Sequence, residues 1–251
     1  MSNALMTIDV DQLPSIQVGS DEDFADLAKG GDFLGRLQLC GKGKYIDKGL
    51  IRPGHYGIPE SADEIEDLGN SVDVIPFARK AKAVDMRDKD AIITSYDKNS
   101  DLFQKIKTIA EQKTSGDGMS GCMYGVSFLM FERATGRFLE FFCSSKSTRS
   151  EAKKIYAYLP LTQIDIDAKV KAGMDMEGVK PHGPLPMTLK SRLVEGKFSY
   201  WVPVAVKCST PFSNVPSMDA IHREMTRFLS NSDGGVEVVD DDNSGKKGRA
   251  R

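Results

Sequence analysis

Apolar and polar positions alternate with short periods along most of this chain, and the breaks between those stretches are marked by glycine, proline or charge. Phe33 to Cys40 sets Leu37 and Leu39 against Arg36 and Gln38, which predicts a strand with one buried face. Ahead of it, Ser20 precedes Asp-Glu-Asp-Phe, a cap with acids in the first turn, and Gly30-Gly31 provides a stop. A short helix over 21–29 is expected there. Residues 41–70 are rich in Gly, Pro and charge and read as loop. Val72 to Lys82 reads as a strand in which Pro76 implies an edge position or a bulge, because proline offers no ladder donor. Phe103, Ile106, Ile109 and Ala110 fall at helical spacing within Leu102 to Lys113.

Two hairpins follow. In Val126 to Cys143, a loop of Arg133-Ala134-Thr135-Gly136 sets Phe131 opposite Phe138 and Glu132 opposite Arg137, an aromatic pair and an opposite-charge pair. In Met187 to Lys207, a turn at Glu195-Gly196 sets Leu193 opposite Phe198, Ser191 opposite Tyr200 and Leu189 opposite Val202. That leaves Lys190 beside Trp201 and Arg192 beside Ser199 on the other surface.

Between the hairpins, Thr148-Arg149-Ser150-Glu151 has the form of a capping box. It predicts a helix over 149–158 with Ala152, Ile155, Tyr156 and Leu159 on one face, ended by Pro160. Residues 161–186 hold too many breakers for a long element and read as a loop or mobile flap. Met218 to Leu229 repeats the helical pattern through Ile221, Met225 and Phe228. The expected organisation is a flexible arm over 1–20, one globular domain over 21–231, and a tail over 232–251, acidic then basic, too polar to order itself.

The chain has 251 residues, enough for a core without staples. Its net charge of -2 conceals a division. Residues 1–73 carry 6 basic and 14 acidic side chains, and residues 121–210 carry 13 and 8. A basic binding surface beside an acidic portion is one reading, and a solvated surface is the other. Cys40, Cys122, Cys143 and Cys208 stand singly, which suits free buried thiols better than disulfides or a metal knuckle. No apolar run approaches a membrane span, and the first ten residues lack a signal-peptide pattern, so a soluble cytoplasmic protein is expected.

Motifs for chemistry are weak. Gly116-Asp117-Gly118-Met119-Ser120-Gly121 matches the dinucleotide pattern by letters but precedes a strand, so no helix terminus receives the phosphates. Ser120 lacks a nucleophile elbow, and His182 and His222 have no recognisable catalytic companion. The expectation is a binding protein, not an enzyme, with no cofactor and no metal.

Nucleic acid fits better. Proteins that hold single strands combine aromatic faces with a basic groove, and Lys190, Arg192, Trp201 and Lys207 supply both on the second hairpin. Arg133, Arg137, Lys146, Arg149, Lys153 and Lys154 are further phosphate contacts. The competing reading makes Trp201 a core residue and the cations solvated surface.

The succession of hairpins with an intervening helix, the aromatic and basic hairpin Lys190 to Lys207, and the acidic stretch near the end resemble the OB-fold single-stranded DNA-binding proteins of tailed phages, over residues 33–242. The resemblance implies a distorted OB-like antiparallel barrel in a β-rich α+β domain, with long loops and two or three packing helices. It implies a role in DNA replication in the host cytoplasm. It also implies that Asp240, Asp241 and Asp242 recruit replication or recombination proteins, although here Lys246, Lys247, Arg249 and Arg251 follow those acids. The alternative function is a structural or interaction protein, such as a virion or assembly component.

Overall fold

The computed structural model describes residues 34–61, 63–88, 91–112, 121–196, 199–210, 212, 214–230 and 235–238. The expected arm, the helix over 21–29 and Asp240 to Asp242 lie outside them. The chain divides into two compact units, one holding residues up to Lys80 with Val126–Ser230, the other Ala81–Gly125 with the residues after Ser230. Strands β4 (Ser71–Asp85) and β6 (Cys122–Glu132) each begin in one unit and end in the other along the chain.

In the larger unit, β1 (Gly35–Cys40), β2 (His55–Pro59), β3 (Ile65–Gly69), β7 (Arg137–Cys143), β8 (Met187–Val194) and β9 (Tyr200–Lys207) join β4 and β6 in the order β3-β2-β1-β7-β6-β4-β8-β9. The α+β, β-rich class holds, but the OB-like barrel does not. The sheet is open, ending at β3 and β9, and it is mixed, because β1 runs parallel to β7. Closure requires both terminal strands to offer ladder groups. β9 carries Pro203, which lacks a donor, and α3 (Lys146–Ile155) packs against this strand. The OB-fold resemblance, and the phage replication role that came with it, thereby lose their architectural basis.

The core of this unit follows from the alternation. Leu37, Tyr56, Ile58, Val74, Phe128, Met130, Leu139, Phe141, Met187 and Leu189 are buried together with Ala152 and Ile155 of α3. Residues of opposite parity, Ile75, Phe77, Leu129 and Phe131, pack on Ile221, Met225 and Phe228 of α5 (Met218–Ser230). The expected final helix is therefore present, with the anticipated face buried. β8 pairs with β4 over Ser71–Val74, and Pro76 falls beyond that ladder, as its missing donor requires.

The first hairpin has the expected register, Phe131 opposite Phe138 and Glu132 opposite Arg137. The charges choose other partners. The buried Glu132 carboxylate accepts from the amides of Ala134 and Thr135, each at 2.7 Å, and from the Thr135 hydroxyl at 2.5 Å, while Gly136 turns the chain at φ +68°. Loop amides that would otherwise lack acceptors account for this choice.

Two loop assignments and one helix boundary are corrected. Residues 41–70 contain α1 (Lys44–Asp47) besides β2 and β3, because Tyr56 and Ile58 alternate and are buried among the glycines and charges. Residues 161–186 contain α4 (Gln163–Lys171), whose capping box joins Thr162 and Asp165. Helix α3 starts three residues earlier than Thr148 and Glu151 suggest, since Ser145 accepts from the Thr148 amide.

The second hairpin departs from expectation by three residues. Leu193 stands opposite Trp201, Arg192 opposite Val202 and Lys190 opposite Val204, with the loop between Val194 and Tyr200. Opposite residues share a sheet surface, so Trp201 and Lys207 lie on one side of the ribbon and Lys190 and Arg192 on the other. The cause is packing. The Trp201 indole rests against Gly41 and Gly54, and a Cβ at Gly54 would stand 2.6 Å from its ring. Burying much of an indole stabilises by roughly 3 kcal/mol or more, which exceeds the preference for a two-residue turn.

In the smaller unit, β5 (Ala91–Ser95) pairs with β4 at Ala83–Asp85 and with β10 (Gly235–Val238). Thus four residues of the tail form a strand, and the rest of that tail lies outside the described residues. Helix α2 (Asp101–Glu111) occurs where its pattern predicts it. Ser100 caps it, and Phe103 and Ile106 are buried with Ala83 and Cys122. Beside them the Arg87 guanidinium grips Asp85 through three bonds, Nε to Oδ1 at 2.9 Å and to Oδ2 at 3.2 Å, and Nη2 to Oδ2 at 2.7 Å.

Two outcomes follow from this packing. Gly54→Ala should lower unfolding free energy by about 2–4 kcal/mol in urea titration, because it combines a left-handed backbone (φ +85°) with a clash against Trp201. A change near zero would contradict the contact. For Asp85, the hydrogen bond from Arg87 holds the carboxyl at about 2, below its ordinary value. Its stabilisation is therefore complete above the unfolded value and lost as pH falls from about 4 towards 2. Acid unfolding of Asp85→Asn should show a shallower loss across that window than the parent, and equal slopes would exclude the pair.

Candidate nucleic-acid interface

Helix α3 presents opposite faces of opposite character. Ala152 and Ile155 point inward and are buried, Arg149 beside them is half-buried, and Lys153 falls on the side of the helix away from them. Lys153 is exposed, and the Arg149 guanidinium donates to the Ser144 carbonyl at 2.6 Å. Lys154 lies at the flank and binds Glu151 at 2.6 Å.

Glu151 links this helix to the second hairpin. It is only 16% exposed, and its other oxygen accepts from Arg192 of β8 at 3.2 Å. Lys190 sits two positions along β8 on the same strand surface and is exposed. The register places Tyr200 on that surface too, opposite Val194 and diagonal to Arg192, with 42% of its area exposed.

The structure therefore brings Lys154 of α3 and Arg192 of β8 together on one carboxylate, with Lys190 on the same strand surface as Arg192 and with Arg149 and Lys153 elsewhere on α3. It separates Trp201 and Lys207, which lie on the other surface of the ribbon. It also engages two arginines elsewhere. Arg133 binds Asp73 at 3.2 Å and lies over the Phe212 ring, and Arg137 binds Glu66 and, at 3.5 Å, Glu60. Asp73 in turn accepts from the Thr188 hydroxyl at 2.6 Å, so Arg133 belongs to a network joining β4 and β8.

Sequence reasoning missed Tyr200 because the assumed turn put it opposite Ser191 on the apolar surface. A signal was present in Val202, Val204 and Val206, whose alternation marks Tyr200 as one row and Trp201 as the other.

The remaining reactive groups are subdued. Burial pushes the Cys143 thiol up to about 12 and the Cys40 thiol, helped by the Asp67 carboxylate, to about 11. Cys122 is raised to about 11 by burial and by its hydrogen bond to Asp85. These three are thiols at neutral pH, without the thiolate character that a nucleophile or metal ligand needs. Among the described residues no group of three or more His, Cys, Asp or Glu side chains is placed to hold a metal ion, and no helix is long and apolar enough to cross a membrane.

Comparison of the chain with models of protein families, with curated proteins and with solved structures finds no match.

Proposed function

We propose that this protein binds single-stranded nucleic acid without sequence preference, through the surface formed by α3 and the β8–β9 ribbon. The observation that carries this reading is that Lys154 of α3 and Arg192 of β8 meet on the single Glu151 carboxylate, with Lys153 exposed on α3 and with Lys190 and Tyr200 exposed on the Arg192 surface of the ribbon. Cations neutralise phosphates and release counterions, and an exposed ring offers a stacking platform indifferent to base identity. Trp201 has no part in this version of the site, since its ring is engaged with Gly41 and Gly54.

A second reading rests on α4 and the segment after it. Ile164, Val170 and Met174 are 70%, 54% and 57% exposed, an apolar character that favours contact with another protein. The two readings differ in salt dependence and in the residues that matter.

The test is a mobility-shift or fluorescence titration with single-stranded and double-stranded oligonucleotides at several salt concentrations. Lys153→Ala and Arg192→Ala should each weaken single-strand binding and reduce the log-log salt slope by about 0.7. Tyr200→Ala should cost ~1–3 kcal/mol of binding and leave that slope unchanged. All three positions are exposed, so melting temperatures should stay at the parent's value. Parent protein that binds neither strand form, or variants that bind as the parent does, would reject the reading in favour of the protein-interaction surface.

A further inference from the structure

A different concavity, on the surface of β1 and α1, concentrates positive charge. It measures about 290 Å3 and is lined by Arg36 and Gln38 of β1, Lys42, Lys44 and Tyr45 of the turn into α1, and Pro59 of β2, with no carboxylate in its lining. The volume lies at the small end of the ~300–1,000 Å3 typical of ligand sites, so it suits a compact ligand.

The cations are held around this space by the local fold. Arg36 and Gln38 alternate with buried Leu37 and so project from the same side of β1. Gly43 turns the chain at φ +108°, which brings Lys42 and Lys44 to the rim on either side of it. Tyr45 is fixed by its hydroxyl, which donates to the Ser61 carbonyl at 2.6 Å, and the Lys44 ammonium lies 4.8 Å from its ring centre.

Three carboxylates outside the lining have cationic or imidazole partners of their own: Glu60 with Arg137, Asp63 with Lys48 and Asp67 with His55. Glu140 stands in parallel register beside Arg36, and the lining itself holds three cations and no carboxylate. Like charges focused in a concave site repel one another until an anion enters. A phosphate monoester carries about -1.5 to -2 at neutral pH and offers three acceptor oxygens, whereas a carboxylate or phosphodiester carries only about -1.

We propose that the Arg36, Lys42 and Lys44 concavity is a binding site for a phosphate monoester. A small metabolite and the 5′-phosphate end of a nucleic acid present the same group, and the experiment separates them.

Calorimetric titration of the full chain uses inorganic phosphate, a nucleoside 5′-monophosphate, the corresponding nucleoside, and one oligonucleotide with and without a 5′-phosphate. Saturable binding of the monophosphate but not of the nucleoside is expected. Lys42→Gln and Lys44→Gln should each weaken it about tenfold, the loss expected for one charge-assisted hydrogen bond. Both lysines are exposed, and unchanged melting curves will show that the variants are folded. Lys153→Ala and Arg192→Ala should leave monophosphate binding intact, which separates this site from the proposed strand-binding surface. Tighter binding of the phosphorylated than of the bare oligonucleotide, lost in Lys44→Gln, would assign the site to a nucleic acid end. Equal binding of the two with retained monophosphate affinity would assign it to a small ligand. Absence of saturable monophosphate binding, or binding that survives the Lys42→Gln/Lys44→Gln double substitution, would overturn the proposal.

Discussion

The indole of Trp201 lies against bare backbone at Gly41 and Gly54, and much of the larger unit's surface follows from that contact. Glycine at position 54 is required twice, by its left-handed backbone and by the absence of room for a Cβ. With the ring seated there, β9 is committed to a register in which Leu193 is its neighbour. Because side chains alternate along a strand, every other residue of the ribbon is then assigned to a surface. Lys190, Arg192 and Tyr200 fall on one side as a consequence, opposite to the surface that carries the indole. The same contact anchors the residues on either side of α1, and so the segment that carries Lys42 and Lys44.

Electrostatics sorts the cations into three groups. Arg133 and Arg137 are drawn into pairs with Asp73, Glu60 and Glu66, where they join strands and hold loops. Such half-exposed pairs contribute modestly to stability, but they remove both arginines from any role that needs an open guanidinium. Around α3 the balance is reversed, with Lys154 and Arg192 sharing Glu151. That carboxylate is well covered, and it orients Arg192 and Lys154 without neutralising the cluster. The concavity beside β1 follows a third pattern, because its nearby acids already have partners. The acidic balance of residues 1–73 therefore coexists with a locally positive site.

Pattern along the chain determined which stretches are strands and helices wherever local signals agree with burial. Strand β1, the β6–β7 hairpin with its four-residue loop, α2 and α5 all follow from period and turn chemistry, because each buries a face that its own alternation defines. Legibility failed where a short apolar alternation is surrounded by polar residues. Tyr56 and Ile58 mark β2 but lie among glycines and charges, and Thr162 with Asp165 starts α4 among breakers. The basic residues of α3 and β8 were visible as candidates, yet their grouping was not. Their company depends on a register three residues away from the one a tight turn would favour. It also depends on which carboxylates the distant segments bring near. Only tertiary structure decided that the sheet stays open, that Trp201 packs on glycine while Tyr200 faces outward, and that Glu151 rather than Asp73 lies among the cations. The physical reason is that helix and strand periods are set by neighbours a few residues apart. Register, closure and ion pairing are set by contacts between segments that the chain brings together only when its core is buried.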